Sequence, residues 1–265
     1  MNETRTNTID MNKKNEMTPE RLFEIASEKF YKVFDFDKDT KKSDKTWIRV
    51  GLIPNPNKEI QWNFFNGERL LCSEPFDKAE VFENGTAVVI RNNEYNVLRD
   101  DGTLVFDKWY HYVSKCDDGK HYQVEQKKDE YGLIRIEAFA NLDGTIMSDW
   151  YDQITPMLYG NMFCVAKGQN IPGRKYAMYN LDNYRIESEW YDSMMMFQWK
   201  DILERPLARV IKNGMHNLIT PDKGLVFSIW SRKPIEVEKD GSCQIYTEDG
   251  TAYNANANTG ETTKI

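Results

Sequence analysis

Ser148-Asp149-Trp150-Tyr151-Asp152-Gln153-Ile154 decides how this chain is read, because the chain repeats it. Forty residues on stands Ser188-Glu189-Trp190-Tyr191-Asp192-Ser193-Met194, and forty-one residues earlier Asp107-Lys108-Trp109-Tyr110-His111-Tyr112-Val113. Forty past Trp190, Trp230 closes Phe227-Ser228-Ile229-Trp230. Trp109, Trp150, Trp190 and Trp230 thus lie on one lattice as structural repeat positions. Glu74-Pro75-Phe76-Asp77 reads as a degenerate earlier copy, with Phe76 in the tryptophan place. A fixed period of roughly 40 residues marks a chain built from repeated supersecondary units.

Between these corners run short stretches with period-2 patterning, such as Ala87-Val88-Val89-Ile90-Arg91, Tyr95-Asn96-Val97-Leu98-Arg99 and Thr103-Leu104-Val105-Phe106. Asn92-Asn93, Asp101-Gly102, Asp143-Gly144 and Asn213-Gly214 punctuate them. Asn and Gly accept the positive φ of tight hairpins, so strand–turn–strand is the local prediction. A further set, Asn84-Gly85, Asp118-Gly119, Tyr159-Gly160 and Asp240-Gly241, is read as ending each unit. Units are then expected near 45–85, 86–119, 120–160, 161–201 and 202–241, with a partial sixth from 242. Two insertions interrupt the pattern, at 167–174 and 135–139. Gly102 and Gly144 should sit at positive φ, while Gly168, inside an insertion, should tolerate alanine.

The predicted architecture is all-β, about five and a half antiparallel meander units of roughly 40 residues. An open curved stack is favoured over a propeller-like ring, because the units are unequal and no closing strand is evident. Residues 1–17 read as a disordered tail, 18–44 as a helix with its linker, 45–253 as the β-repeat domain and 254–265 as a frayed tail. Thr18-Pro19-Glu20 is a helix start: Thr18 can cap, Pro19 lacks the hydrogen that would go unpaired, and Glu20 suits the positive end. Leu22, Phe23, Ala26, Phe30, Val33 and Phe34 form its apolar stripe, so the helix is expected to reach Phe34 and cap the first repeat.

Aromatic-small-hydrophobic segments, followed by a turn and a Trp or Pro corner with an aromatic and Asp, resemble the bacterial WG (tryptophan–glycine) repeat family. The motif dipeptide would be Trp62-Asn63, Tyr95-Asn96, Tyr131-Gly132, Tyr176-Ala177 and His216-Asn217. Only Tyr131-Gly132 keeps the glycine and only Trp62-Asn63 the tryptophan, so the form is divergent. The Ser-Asp-Trp-Tyr-Asp variant is similar to forms in gut Bacteroidales and their phages. The resemblance covers about residues 60–250 and implies a β-repeat protein without assigned catalytic residues.

The net charge of −7 argues against nucleic acid, since phosphate binding needs a basic surface. No run approaches the roughly 18 apolar residues of a membrane span, and the polar N-terminus lacks a secretory segment. A cytoplasmic protein, or one incorporated in a virion if phage-encoded, is expected. Cys72, Cys116, Cys164 and Cys243 form no CxxC pair, so reduced, mostly buried thiols are the expectation. No catalytic set, metal site or cofactor is expected. His111, His121 and His216 stand in no nucleophile motif, and no glycine-rich phosphate loop occurs. Asp77, Asp152 and Asp192 share one repeat position, with His111 and Arg232 elsewhere in the column. A carboxylate after a corner is expected to bind backbone amides there, rather than a cation. Met194, Met195, Met196, Phe197 and Trp199 break the pattern and form the candidate partner-binding surface. The leading functional reading is a non-catalytic interaction protein that binds a protein partner along a repeat face. A glycan- or small-ligand-binding module with exposed aromatics and an unassigned enzyme are the alternatives.

Overall fold

The computed structural model describes residues 19–34, 47–53, 59–157, 160–168, 173–196, 207–222 and 224–265. Among them the chain is one helix followed by small antiparallel sheets. Sheet one holds β1 (Lys32–Phe34), β2 (Ile48–Leu52) and β3 (Gln61–Phe65). Sheet two holds β4 (Lys78–Ala79), β5 (Thr86–Arg91) and β6 (Glu94–Arg99). Sheet three holds β7 (Tyr112–Lys115), β8 (His121–Lys127) and β9 (Arg135–Asn141). Sheet four runs β10 (Gln153–Pro156), β11 (Met162–Lys167), β12 (Lys175–Asn180), β13 (Arg185–Ile186). Sheet five runs β14 (Ser193–Met196), β15 (Ala208–Lys212), β16 (Met215–Thr220), β17 (Gly224–Leu225). Sheet six holds β18 (Ser242–Tyr246), β19 (Ala252–Asn256) and β20 (Thr262–Lys264). Two compact units divide the chain, residues 1–113 and 114–265.

Strands are added in chain order, so each sheet is a meander with local pairing. The corner closes it: Tyr95 and Tyr110 exchange both backbone bonds, as do Glu137 with Tyr151, Tyr176 with Tyr191, and His216 with Ser231. The residue after each corner then pairs forward, Asp152 N–H to Ala166 O and Asp192 N–H to Ile211 O. The strand after the Trp corner therefore opens the next sheet. This corrects the expected unit boundaries, since Asn84-Gly85, Asp118-Gly119 and Asp240-Gly241 lie inside sheets, between their first two strands or the segments in those places. Phe76 exchanges backbone bonds with Trp62, so it holds the place of Tyr110 and Tyr151, and Pro75 the place of tryptophan. Tyr131-Gly132 is likewise out of register. Glu137-Ala138 occupies the motif place in the third sheet, and Tyr131 lies in the β8–β9 loop.

The core lies between sheets. Alternate residues of a strand face opposite ways, and β11 is buried on both faces. Its Phe163 and Val165 pack with Phe139 and Tyr179, while Met162 and Cys164 pack with Met178, Val210 and Ile219. Leu207, Leu218 and Phe227 meet Ile245 and Ala255 in the same manner. In the first unit, Phe64, Phe76, Phe82, Val89 and Leu98 form the corresponding layer. Each fully buried aliphatic or Phe side chain contributes about 1.5–3 kcal/mol by leaving water.

α1 (Pro19–Lys29) is shorter than expected. Phe30 N–H closes the last turn on Ala26 O at 2.9 Å, and residues 32–34 pair with β2 instead of continuing the helix. Val33 and Phe34 favour a strand, and the β2 edge offers each turn-free residue a ladder bond. Leu22 and Ala26 are buried against Ile48, Val50 and Phe65, so the helix covers sheet one as anticipated. The other end also differs from expectation. Residues from Asn254 complete β19 and form β20, with Gly260 N–H on Asn256 O at 2.8 Å and Ala257 buried. Asn and Thr, which bury little, suit the turn and the exposed edge strand there.

Candidate functional site

Hairpins between the second and third strands of the sheets are not equal. Asn92-Asn93 and Asn213-Gly214 are two-residue turns with positive φ at both positions. The β8–β9 loop is longer, and β11–β12 carries the insertion that begins at Gly168. Three of these four are anchored by the carboxylate column. Asp77 Oδ2 accepts Asn92 N–H at 2.6 Å, Asp152 Oδ2 accepts Gly168 N–H at 2.7 Å, and Asp192 Oδ2 accepts Asn213 N–H at 2.6 Å. The column is turn chemistry, as its position after the corner suggested. Asp152 also faces Lys128 Nζ at 3.7 Å, so one carboxylate touches both long loops of the third and fourth sheets.

The β8–β9 loop is built rather than slack. Lys128 N–H donates to Ile134 O at 2.8 Å, Ile134 N–H to Asp129 Oδ1 at 2.8 Å, and Gly132 N–H to Asp129 O at 3.2 Å. That frame turns Tyr131 and Leu133 outward, 78% and 83% exposed. The insertion expected at 135–139 is instead strand β9, and the extra residues lie just before it, in the loop that carries Tyr131.

Beneath the loop, Glu125 and Glu137 are direct cross-strand partners. Burial raises the Glu137 carboxyl, and the neighbouring Glu125 adds to this. Its Oε2 accepts Ile154 N–H at 2.7 Å and the Gln123 amide at 3.0 Å, while Glu125 faces Arg135 at 3.4 Å. Trp62, Tyr95, Tyr176 and His216 hold the matching place in other sheets.

Met194, Met195 and Met196 form most of β14, in register with Val210, Arg209 and Ala208. Met194, Met195 and Met196, expected to break the repeat pattern, thus continue it as a strand. Met194 packs against the Tyr191 layer and Met195 is 60% exposed. Phe197 and Trp199 lie outside the described residues. The tryptophan column is only half-buried. Trp109, Trp190 and Trp230 pack at the margins of their layers, whereas Tyr110, Tyr151 and Tyr191 are fully enclosed. Cations cover two of the indoles: Arg91 lies 5.6 Å from the Trp109 ring and Lys167 5.6 Å from Trp190. The acid before the corner holds each cation, Glu74 to Arg91 at 3.2 Å and Asp149 to Lys167 at 3.0 Å.

Among the described residues no cluster of three or more His, Cys, Asp or Glu could hold a metal. Cys116 is pushed up to about 12 and Cys164 and Cys243 to about 11, mainly by burial, so none is a ready thiolate. Burial, then Arg209, lowers His216, which packs as an aromatic in its motif place. His121 is different. It is 6% exposed, with Asp118 Oδ2 at 2.5 Å from Nδ1 and the Tyr184 hydroxyl at 2.9 Å from Nε2.

No protein-family model and no curated protein matches the chain. Solved structures match only distantly. A crystal structure of a eukaryotic initiation factor is 8% identical with a TM-score of 0.36, over 83% of this chain and 52% of that one. BamB from Moraxella catarrhalis is 9% identical with a TM-score of 0.31, over 88% and 74%. An uncharacterized protein from Listeria monocytogenes EGD-e is 11% identical with a TM-score of 0.33, over 85% and 82%. The chain spans about half the length of the initiation factor.

Proposed function

We propose that this protein is a non-catalytic interaction protein, a divergent WG-repeat chain that binds a protein partner through its β8–β9 loop. The exposure of Tyr131 and Leu133 on a hydrogen-bonded frame carries this reading. A loop already held in a fixed geometry loses little freedom on docking, and tyrosine is among the residues enriched at the energetic centres of interfaces. We place the contact here rather than at Met194–Met196, because Met194 is already packed against its own sheet. Arg91 and Lys167 over the indoles favour a protein partner over a sugar stacked on the tryptophans. We further propose a cytoplasmic or virion setting. No helix among the described residues is long and apolar enough to cross a membrane.

The test is a Tyr131→Ala/Leu133→Ala double variant, with Met195→Ala as control, used as bait in extracts of gut Bacteroidales and of their phages. The double variant should melt as the wild type does and lose the captured partner, while the control keeps it. A double variant that captures the same partner equally well refutes the loop as the site. Wild-type signal on a glycan array, without protein capture, would favour the lectin-like reading instead.

A further inference from the structure

The turn between β12 and β13 is one residue longer than those of sheets two, three and six, with four residues between Asn180 and Arg185 instead of three, and it ends on a different residue type. In matching turns the residue before the returning strand is Gly102, Gly144 or Gly250, at φ of 90°, 97° and 88°. In the fourth sheet that residue is Tyr184, at φ 57°. A left-handed backbone costs a non-glycine residue roughly 1–2 kcal/mol, and such strain gathers where a side chain has a task. Removing the glycine also gains no core, since Tyr184 is 40% exposed.

What the strained backbone achieves is placement of the hydroxyl. Tyr184 Oη lies 2.9 Å from His121 Nε2, with the rings edge to face at 5.5 Å. On the far side of the imidazole, Asp118 Oδ2 lies 2.5 Å from Nδ1, and both side chains are under a tenth exposed. Asp118 is itself fixed, because its Oδ1 accepts Lys120 N–H at 2.9 Å and His121 N–H at 3.2 Å. An ionised carboxylate only accepts, so in the neutral imidazole Nδ1 carries the hydrogen and Nε2 presents its lone pair to the phenol. A nucleophile within reach of a base, with the base oriented by a third group, is the arrangement that activates hydroxyls.

We propose that Tyr184 is a nucleophilic modification site, with His121 as its base and Asp118 as the positioning residue, that accepts an acyl group from an activated ester. The phenolic oxygen attacks the ester carbonyl carbon, and its proton passes to His121 Nε2. An O–C bond forms, the bond from carbon to the leaving alkoxide or phenoxide breaks, and the leaving group departs with that electron pair. No oxidant or metal is needed, and the inference is independent of the partner-binding reading.

The probe is p-nitrophenyl acetate, at low excess over the full chain, with acetylated tyrosines located by peptide mass spectrometry. Tyr184 should acetylate ahead of Tyr131, although Tyr131 is almost twice as exposed. A pattern that follows exposure, with Tyr131 ahead, overturns the proposal in the wild type alone, whatever the variants do. His121→Gln should slow Tyr184 by at least about tenfold, in line with loss of a general base, and leave Tyr131 unchanged. Asp118→Asn keeps an Oδ1 for the two backbone amides and should also slow Tyr184 selectively. Asp118→Glu, which restores a carboxylate, should recover part of the rate. Wild-type labelling of Tyr184 in both His121→Gln and Asp118→Asn would equally overturn it.

Discussion

Asn96 and Phe106 hold each other twice: Asn96 Nδ2 donates to Phe106 O at 3.0 Å, and Phe106 N–H donates back to Asn96 Oδ1 at 3.2 Å. The same amide reaches Lys108 O at 3.0 Å and accepts Val97 N–H at 2.7 Å, so one buried side chain closes the corner of sheet two. Asn63 and Asn217 repeat the arrangement on Cys72 and Phe227. Where the third strand has Ala138 or Ala177 instead, a serine from the corner takes over: Ser148 Oγ accepts Phe139 N–H at 2.9 Å and Ser188 Oγ accepts Met178 N–H at 2.8 Å. The serine corners are one residue shorter, since Phe106 stands four before Tyr110 and Ser148 three before Tyr151. Amide and long corner, or serine and short corner, are two solutions to one problem.

Asn96→Ala should therefore cost more than Ser148→Ala. It strands two amides and two carbonyls in a buried corner, at about 1–3 kcal/mol for each group left without a partner or water. Ser148→Ala strands the part-buried Phe139 N–H and frees the exposed Asp149 carbonyl, which water can serve, so it should cost at the lower end of that range. Urea denaturation of both variants checks the order, and equal losses would mean that water replaces the asparagine.

The corner aromatics make a second comparison. Tyr151 and Tyr191 are each 2% exposed, while Trp150 and Trp190 are half-buried. Tyr151→Ala and Tyr191→Ala should each lose about 3–5 kcal/mol, as expected for large-to-small changes in a core. Trp150→Ala and Trp190→Ala should lose less, because water already reaches part of each ring. Thermal midpoints of the four variants measure this, and larger losses at the tryptophans would show that the half-buried indoles carry the packing.

Gly168 was expected to tolerate alanine, and the structure reverses that. Its φ is 107°, and an added Cβ would lie 2.8 Å from Gly173 O and 3.0 Å from Arg174 Cα. Its own N–H is fixed by Asp152 and its carbonyl accepts Arg174 Nε at 2.9 Å, so the backbone has little room to move. Gly168→Ala should cost on the order of 1 kcal/mol or more, no less than Gly102→Ala, where the Cβ meets Leu71 O at 3.3 Å. A fully tolerated Gly168→Ala in urea denaturation would rule this out.

The repeat, the strand patterning and the turn glycines were legible because each recurs at fixed spacing, and Asp77, Asp152 and Asp192 were readable as turn carboxylates for the same reason. Phase was not legible. The Trp-Tyr corner looks identical whether it ends one sheet or leads into the next, and only the forward bond from Asp152 N–H to Ala166 O tells them apart. Tyr131-Gly132 misled because it matches the motif dipeptide in composition while standing in a loop. Tyr184 could have been noticed, since it follows Asp182-Asn183 where other turns supply glycine. That its hydroxyl meets His121, 63 residues away in sequence, follows only from the packing of sheet four on sheet three.

Glu137 takes the place that Trp62, Tyr95 and Tyr176 fill elsewhere, and its charge is badly housed. Burial is the main cause of its raised pKa, with like charge from Glu125 across the strand adding to it. A carboxyl whose folded pKa lies above its unfolded value binds its proton more tightly when folded. Its contribution therefore favours the fold most below the unfolded pKa, about 4.3 for glutamate, and falls as pH rises through the folded value. The chain keeps it for its shape: Oε2 satisfies Ile154 N–H on the outer side of edge strand β10, and the Gln123 amide besides. Glutamine has the same outline and one acceptor oxygen, which can serve Ile154 without a buried charge. Glu137→Gln should therefore raise stability near pH 7 and leave it little changed near pH 4, flattening that part of the profile. Glu137→Ala, which removes the acceptor as well, should destabilise at both. Urea midpoints of the wild type and the two variants across this range decide it, and a Glu137→Gln variant weaker than wild type at neutral pH would show that the carboxylate charge is needed where it stands.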